Sequence, residues 1–386
     1  MEFADPEPLL KQVDELRDLV LAQRAEADRL RRLPDPIADA LVARNFYRIL
    51  LPTDYGGIGA DPLTYLRMVE RFSALDGSVG WNFAIGGGSS LIAGNVPLEV
   101  GRAIFATPSS AVAGAAAPQG KAVAVEGGYR VTGRWAWASG IHQSQWVLAG
   151  CIAHTGDPPA PVKTGVPLRH VLVPRESVTV LDTWHVGGLR GTGSTEFVID
   201  DVFVPDDHTF VAFISERIVD RPVFALPSTF FGVALSTVAS GVARGAIEAF
   251  VSLAVDKRPM MSSNTLAERP AAQYDVAKAE ALVDSSREHL FAQVEEMWQT
   301  VLAGRPVEMP LRASVRRAQV HAAESAAEAV RLLYRSAGGS SLYESCPLER
   351  CFRDVNAALG HVTLQRGVLE DAGRVRFGMR PLGPIF

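Results

Sequence analysis

Only three of the 386 residues are cysteine, Cys151, Cys346 and Cys351, an odd number with neither Cys-x-x-Cys spacing nor a neighbouring histidine cluster. That argues against a disulfide framework and a zinc site. Charge of one sign is also lacking: 38 Lys and Arg face 43 Asp and Glu, the formal net charge is -5, and the charges are dispersed. Such a surface carries no footprint for a polyanion, so nucleic acid is not an expected partner. Long hydrophobic runs are missing too. The nearest, residues 230–242, is shorter than the roughly 20 apolar residues of a membrane span and carries Ser and Thr, so it is expected as a buried helix. The opening MEFADPEPLLKQVDEL is acidic and amphipathic, whereas a secretory signal needs a basic start and an apolar run. A cytoplasmic protein without a membrane segment is therefore expected, and no internal repeat or low-complexity tract is evident.

What is present is 47% hydrophobic residues, enough to bury a large core in two or three packed units. From residue 9 to about 101, apolar side chains recur at steps of three and four (Leu9, Val13, Leu16, Leu19, Val20; Ile37, Leu41, Val42), the mark of amphipathic helices. Pro34 and Pro36 divide the first two, and PTDYGGIG at 52–59 is a turn-rich connection. Between 109 and 210 the period changes to two, with short β-branched runs at 171–174, 178–181 and 197–204 separated by Gly, Pro and Asp, as at 126–128 and 156–161. No helical stretch long enough for a crossover lies between them, which disfavours a parallel dinucleotide sheet and favours a small barrel or sandwich. After Pro227, helices are expected at 229–256, 270–302, 310–336 and 347–369, four long elements with short connections that make an antiparallel bundle. The expected fold class is mainly α with a central β-barrel: an N-terminal helical domain (1–105), a middle β domain (106–225) and a C-terminal four-helix bundle (226–386).

Three segments are unusual enough to carry chemistry. In Tyr129-Arg-Val-Thr-Gly-Arg-Trp-Ala-Trp-Ala-Ser-Gly-Ile-His142, strand alternation puts Trp135 and Trp137 on one face, followed by Ser139 and Gly140. The pair is either an aromatic core or a wall with a hydroxyl and close backbone approach, as a planar heterocycle requires. Val186-Gly-Gly-Leu-Arg-Gly-Thr-Gly-Ser194 is either a glycine-rich hairpin or a ligand cradle; it lacks the strand-to-helix setting of a dinucleotide fingerprint and the lysine of a P-loop. The run Gly86-Gly-Gly-Ser-Ser90 either serves a ligand or lets helices approach closely. Near the C-terminus, Ala337-Gly-Gly-Ser-Ser-Leu-Tyr343 precedes Pro347-Leu-Glu-Arg-Cys-Phe-Arg-Asp354, with His361 seven residues on. On one helix, Arg350, Arg353, Asp354 and His361 would share a face; spacing alone gives His361 no special role.

Together these segments resemble the acyl-CoA dehydrogenase superfamily over almost the whole chain. The resemblance rests on Gly128-Tyr-Arg-Val-Thr-Gly-x-Trp-x-Trp-x-x-Gly140, on Gly188-Leu-Arg-Gly-Thr-Gly-Ser194 with Asp-Val-Phe-Val-Pro205, and on Ala-Gly-Gly followed by Arg-x-Phe-Arg-Asp354. It implies the same three-part fold, a homotetramer and a flavin near subunit interfaces. In dehydrogenases of that family the catalytic glutamate commonly stands eight residues after the Asp, within Glu-Gly-Thr; here that residue is Val362, with His361 before it. Other dehydrogenases keep their base on a different helix. His361 in that place, with the Trp-x-Trp-x-Ser-Gly and Leu-Arg-Gly-Thr-Gly-Ser runs, resembles the oxygenase components of two-component flavin monooxygenases, of the p-hydroxyphenylacetate hydroxylase, seco-steroid phenol hydroxylase and dibenzothiophene monooxygenase type. One departure is Asn356, where phenol hydroxylases often carry a second His.

The resemblance implies that reduced flavin, FMN or FAD, arrives from a separate flavin reductase, forms a C4a-hydroperoxide with O2, and hydroxylates a small, aromatic or phenolic substrate. It assigns catalysis to Ser139, near flavin N5, where its hydroxyl stabilises the hydroperoxide, and to His361, which deprotonates a phenol or orients the peroxide, its ordinary pKa of about 6.5 allowing proton exchange near neutrality. Flavin contacts fall to Trp137, Ser139, Gly140, Arg190, Gly191, Thr192, Ser194, Gly338, Gly339 and Arg353. Arg258 is placed at flavin phosphate of a neighbouring subunit or, equally, in solvent. Trp81, Asn82, Phe83 and His361 are the substrate-side candidates; no metal is expected. The competing readings are an acyl-CoA dehydrogenase-type oxidoreductase, a flavin-dependent N-oxygenase, and a non-catalytic binding or assembly subunit.

Overall fold

The computed structural model describes residues 3–156, 160–161, 167–211 and 218–383, so the turn expected at 156–161 lies partly outside them. Six helices come first: α1 (Pro6–Asp14), α2 (Arg17–Leu30), α3 (Asp35–Ala43), α4 (Pro62–Leu75), α5 (Gly77–Gly88) and α6 (Leu98–Ile104). Carboxylates start several of them. Asp61 accepts from Leu63 N and Thr64 N at the head of α4, and Asp76 from Ser78 N and Val79 N at the head of α5, satisfying amides that a helix leaves unpaired. Gly86 on α5 faces the Tyr47 ring so closely that a Cβ there would lie 2.5 Å from it, so the glycine run serves helix packing.

Eight strands follow: β1 (Val112–Val125), β2 (Gly128–Trp135), β3 (Trp146–Thr155), β4 (Ala160–Pro161), β5 (Leu168–Pro174), β6 (Thr179–Val180), β7 (Phe197–Pro205) and β8 (Thr209–Phe210). They order as β6-β7-β2-β1-β3-β5-β8, with β4 beside β3; β1 and β3 are parallel and the other pairs antiparallel. The sheet is open, which corrects the expected barrel. Its end strands, β6 and β8, are two residues long and pair only with β7 and β5 among the described residues, leaving the ends unjoined. Alternation identifies strands but not whether the last finds the first.

Five helices finish the chain: α7 (Thr229–Asp256), α8 (Pro270–Leu302), α9 (Met309–Ser336), α10 (Pro347–Leu359) and α11 (Arg366–Arg376). Helix α9 packs on α7, α8, α10 and α11, while α7 also reaches α4 and α5, fusing the bundle to the first helices. Among the described residues α7 is the one helix whose length and composition would suit a membrane span, yet most of residues 229–243 are buried within the fold. The single helix expected at 347–369 is interrupted. Helix α10 stops at Leu359, His361 takes an extended conformation (ψ 136) and caps the short turn Val362–Leu364, and α11 begins afterwards. His361 therefore leaves the helical face of Arg350, Arg353 and Asp354.

Candidate active site

The glycine-rich loop at 186–194 carries one short 3-10 turn, Arg190–Thr192, and is fixed by groups from α5 and α10. Leu189 N donates to Asp354 Oδ1 (2.6 Å), Gly191 N to Ser78 Oγ (3.1 Å) and Arg353 Nη1 to Gly187 O (2.8 Å). Asn82 Nδ2 donates to Gly191 O (3.2 Å) and to Ser78 O (2.9 Å). Asp354 is buried, and its pKa is pushed up to about 7, first by desolvation and then by the Asp76 carboxylate; Leu189 N, Arg350 and Arg353 oppose the shift. Arg350 answers the local negative charge by bonding Asp76 Oδ2 and Asp28 Oδ1, both at 3.2 Å.

Held this way, the loop delivers two hydroxyls to Ser139. Trp81 Nε1 donates to Ser139 Oγ (3.0 Å), Ser139 Oγ and Ser194 Oγ are 2.6 Å apart, Ser194 Oγ and Thr192 Oγ1 are 2.6 Å apart, and Thr192 Oγ1 donates to Leu189 O (2.8 Å). All four side chains are buried. Beside Ser139, a cavity of about 10 Å³ reaches Asn82, Gly140, Gln143 and Ser144, room for one water.

The two tryptophans part company. Trp135 ends β2 in the sheet core, stacked on Phe197 at 5.1 Å, its Nε1 donating to Gly150 O (2.7 Å); Gly120 and Gly133 leave the space it fills. Trp137 lies past the strand end in the left-handed region (φ 67) and is 66% exposed. The shared face read from strand alternation is therefore wrong, because alternation stops with the strand. A turn then brings Gly140 N to Thr192 O (3.0 Å) at φ 77, where a Cβ would meet Asn82 Oδ1 at 3.1 Å and Gln143 Nε2 at 3.2 Å.

Trp81, which bonds Ser139, also meets His361: the His361 ring lies 5.9 Å from that of Trp81 and 5.9 Å from that of Phe231. Thr363 N donates to His361 Nδ1 (3.3 Å) and Thr363 Oγ1 is 2.9 Å from it. A backbone N–H only donates, so this geometry leaves the lone pair on Nδ1 and the hydrogen on Nε2. Burial lowers the pKa to about 4. That lies below the ordinary value near 6.5, because desolvation without a carboxylate partner disfavours the cation.

Other expected site residues fall elsewhere. Phe83 is fully buried among Phe46, Tyr65 and Phe72, in the helical core. Asn82 is committed to Ser78 O, Gly191 O and Gln143, and Arg353 to Glu349, Gly187 O and Asp28, so both are struts of the loop. Arg258 and Gly338–Gly339 form a second locus at the end of α7: Lys257 Nζ donates to Ala337 O, and Arg258 Nη1 to Ser263 O. Ser78, Phe231, Gln143 and Thr363 were missed; none lies in a motif. Only Ser78 had a visible signal, the Asp76-Gly-Ser start of α5.

The residues present fit a planar heterocycle with polar edges. Trp137 offers an exposed ring, Ser139 a hydroxyl with bonding capacity beyond Trp81 and Ser194, and Arg190 Nε is buried without a hydrogen-bond partner among the described residues.

Comparison with known proteins agrees. Residues 7–102 match the family model described as acyl-CoA dehydrogenase, N-terminal domain, and residues 233–366 that described as acyl-CoA dehydrogenase, C-terminal domain. The chain is 35% identical over 372 residues to an indole-3-acetate monooxygenase of Pseudomonas putida, covering 96% of this chain and 93% of that protein. It is 30% identical over 364 residues to the flavin-dependent monooxygenase oxygenase subunit HsaA of Rhodococcus jostii, covering 91% and 93%. The solved structure of XiaF from Streptomyces sp., in complex with FADH2 and glycerol, superposes with a TM-score of 0.93 at 25% identity, covering 99% of this chain and 98% of that one.

Proposed function

Since this chain belongs to the acyl-CoA dehydrogenase family, within its flavin-dependent monooxygenases, we propose that it is the oxygenase component of a two-component system that hydroxylates a small aromatic compound. The observation that carries this reading is the cluster of Trp81 and Phe231 rings around the His361 imidazole, which burial keeps neutral, with Trp81 also bonded to Ser139. The position where dehydrogenases commonly carry glutamate is Val362, an exposed side chain that cannot take a proton from an acyl thioester.

When bound, reduced flavin, FMN or FAD, supplies the electrons with which O2 is activated and one oxygen atom is transferred. The chain's residues position and shield. Trp137 covers a ring face, Ser139 meets a polar edge, and the loop of Gly191, Thr192 and Ser194 holds Ser139 in place. Arg190, Arg258, Gly338 and Gly339 serve the phosphate side. His361, neutral at physiological pH, offers Nε2–H to orient a substrate oxygen or π-face rather than removing its proton. A separate reductase supplies the flavin. The exposed Val251, Val255, Met260 and Met261 at the end of α7 support assembly of copies, proposed as a homotetramer.

Because a relative acts on indole-3-acetate, indoles and phenols are the first substrates to try. Purified protein given chemically reduced FMN or FAD, air and these compounds should yield a product heavier by one oxygen. Absence of any oxygenated product, with oxidised flavoprotein bleached anaerobically by acyl-CoA, would restore the dehydrogenase reading; oxygenation confined to amines would restore the N-oxygenase.

A further inference from the structure

Gln319 lies within α9 and is completely buried. A buried amide costs free energy unless its groups are bonded, and here only one half is: Nε2 donates to Thr363 O at 2.7 Å, while Oε1 has no partner among the described residues. An apolar side chain of the same length would carry no such penalty. What the glutamine gains is the Thr363 carbonyl, which lies in the turn between α10 and α11, where the helical ladder is broken, and which takes no other bond among the described residues. The same Thr363 brings its N–H and its hydroxyl to His361 Nδ1, at 3.3 and 2.9 Å. Glycine makes room for the amide. A Cβ on Gly232 of α7 would lie 2.7 Å from Gln319 Nε2 and 2.9 Å from Oε1, and the adjoining Phe231 packs its ring on His361.

We infer that Gln319 is a positioning residue for His361: through Thr363 it fixes the turn that carries the imidazole out of α10 and against Trp81 and Phe231. The inference rests on the reading above, in which His361 Nε2–H orients the substrate, and it extends that site to a side chain 44 positions from Thr363 on another helix. Without the amide donor, Thr363 O is left buried and unpaired. The turn then gains by moving toward any other group that can bond this oxygen, and Thr363 N–H and the imidazole move with it. Gln319 makes no hydrogen bond to His361 itself, so its effect on turnover passes through the turn.

The test is a double-mutant cycle with reduced flavin saturating and indole-3-acetate or a phenol varied, read both in kcat/KM and in the dissociation constant of the aromatic compound, so that a variant without turnover still reports. Gln319→Met keeps the length of the side chain and removes its N–H. It should lower kcat/KM and weaken the aromatic compound, each by roughly fivefold to tenfold, the scale of one hydrogen bond, with the dissociation constant of reduced flavin unchanged. In a His361→Ala background the same substitution should have no further effect, because residues that act as one unit are not additive. Gly232→Ala crowds only the far end of the Gln319 side chain, so it should reproduce the loss in a chain that keeps its glutamine, and it serves where Gln319→Met does not fold. Equal losses from Gln319→Met with and without His361 would reveal packing alone and overturn the inference, as would wild-type behaviour of both Gln319→Met and Gly232→Ala. Unchanged turnover and binding in His361→Ala alone would instead remove His361 from the reaction and take the reading beneath the inference with it.

Discussion

The wall around Ser139 and the locus at the end of α7 differ in how far their polar groups are already satisfied. Trp81, Ser139, Thr192, Ser194 and Asp354 are all buried, and each makes the bonds that fix its orientation. At the other locus Arg258 is exposed, Met260 and Met261 are 92% and 100% exposed, and nothing lies within 4 Å of where a Cβ on Gly339 would be. The difference teaches where the work of organisation falls. On the proposed reading, groups that meet a reacting ring at fixed distance are assembled before it arrives, which lowers the entropic cost of the encounter. Groups suited to phosphate or to another copy of the chain stay open until that partner comes.

The sharpest way to break this contrast is to loosen the inner wall. Asp354→Ala leaves Leu189 N buried and unpaired, and should cost about 1–3 kcal/mol of stability, seen in thermal unfolding, together with loss of flavin binding. Asp354→Asn keeps an acceptor there and separates the two effects. The folded-state pKa of Asp354, about 7, lies above an unfolded value near 3.9, so this group's contribution to stability is greatest below pH 4 and is lost as pH rises through 7. The Asn protein should accordingly gain on wild type at pH 8 relative to pH 5. Gly140→Ala, which puts a side chain at φ 77, should cost about 1–2 kcal/mol in denaturant unfolding; a neutral result would mean the turn is not tightly held.

Smaller effects are expected at the outer locus and at the His361 ring beside Trp81. Arg258→Ala should weaken reduced FAD by roughly fivefold to tenfold, the value of one ordinary hydrogen bond, and FMN less; equal affinity with wild type for both would leave Arg258 to solvent. His361, with its pKa lowered to about 4, should add no inflection to the pH–rate profile between pH 5.5 and 8. Its contribution to stability is complete above an unfolded pKa near 6.5 and falls away toward pH 4, so His361→Gln should unfold at lower pH than wild type. A wild-type rate rising through pH 6.5 and flattened in His361→Gln would reinstate it as a base.

Much of this was legible in the residues. The bounds of α7 and α8 coincide with those read from apolar periodicity and a proline opening, because long helices carry a repeated signal. The end of α10 was not legible: glycine and histidine are tolerated within helices, and the break at 360–361 is set by His361 capping Thr363. Ser139, Thr192 and Ser194 came from motifs, but the bond joining Trp81 to Ser139 spans 58 positions and has no local signature. Nor does any pattern announce that Trp137 will adopt φ 67 and turn outward while Trp135 stays in the core.

The most direct test of the oxygenase assignment is to mix the purified protein with photoreduced FMN or FAD, indole-3-acetate or a phenol, and 18O2, with no reductase present, and to weigh the product. One 18O atom in the product is the result expected here. Consumption of O2 without any labelled product across indoles, phenols and amines, alongside bleaching of the oxidised flavoprotein by acyl-CoA, would contradict it.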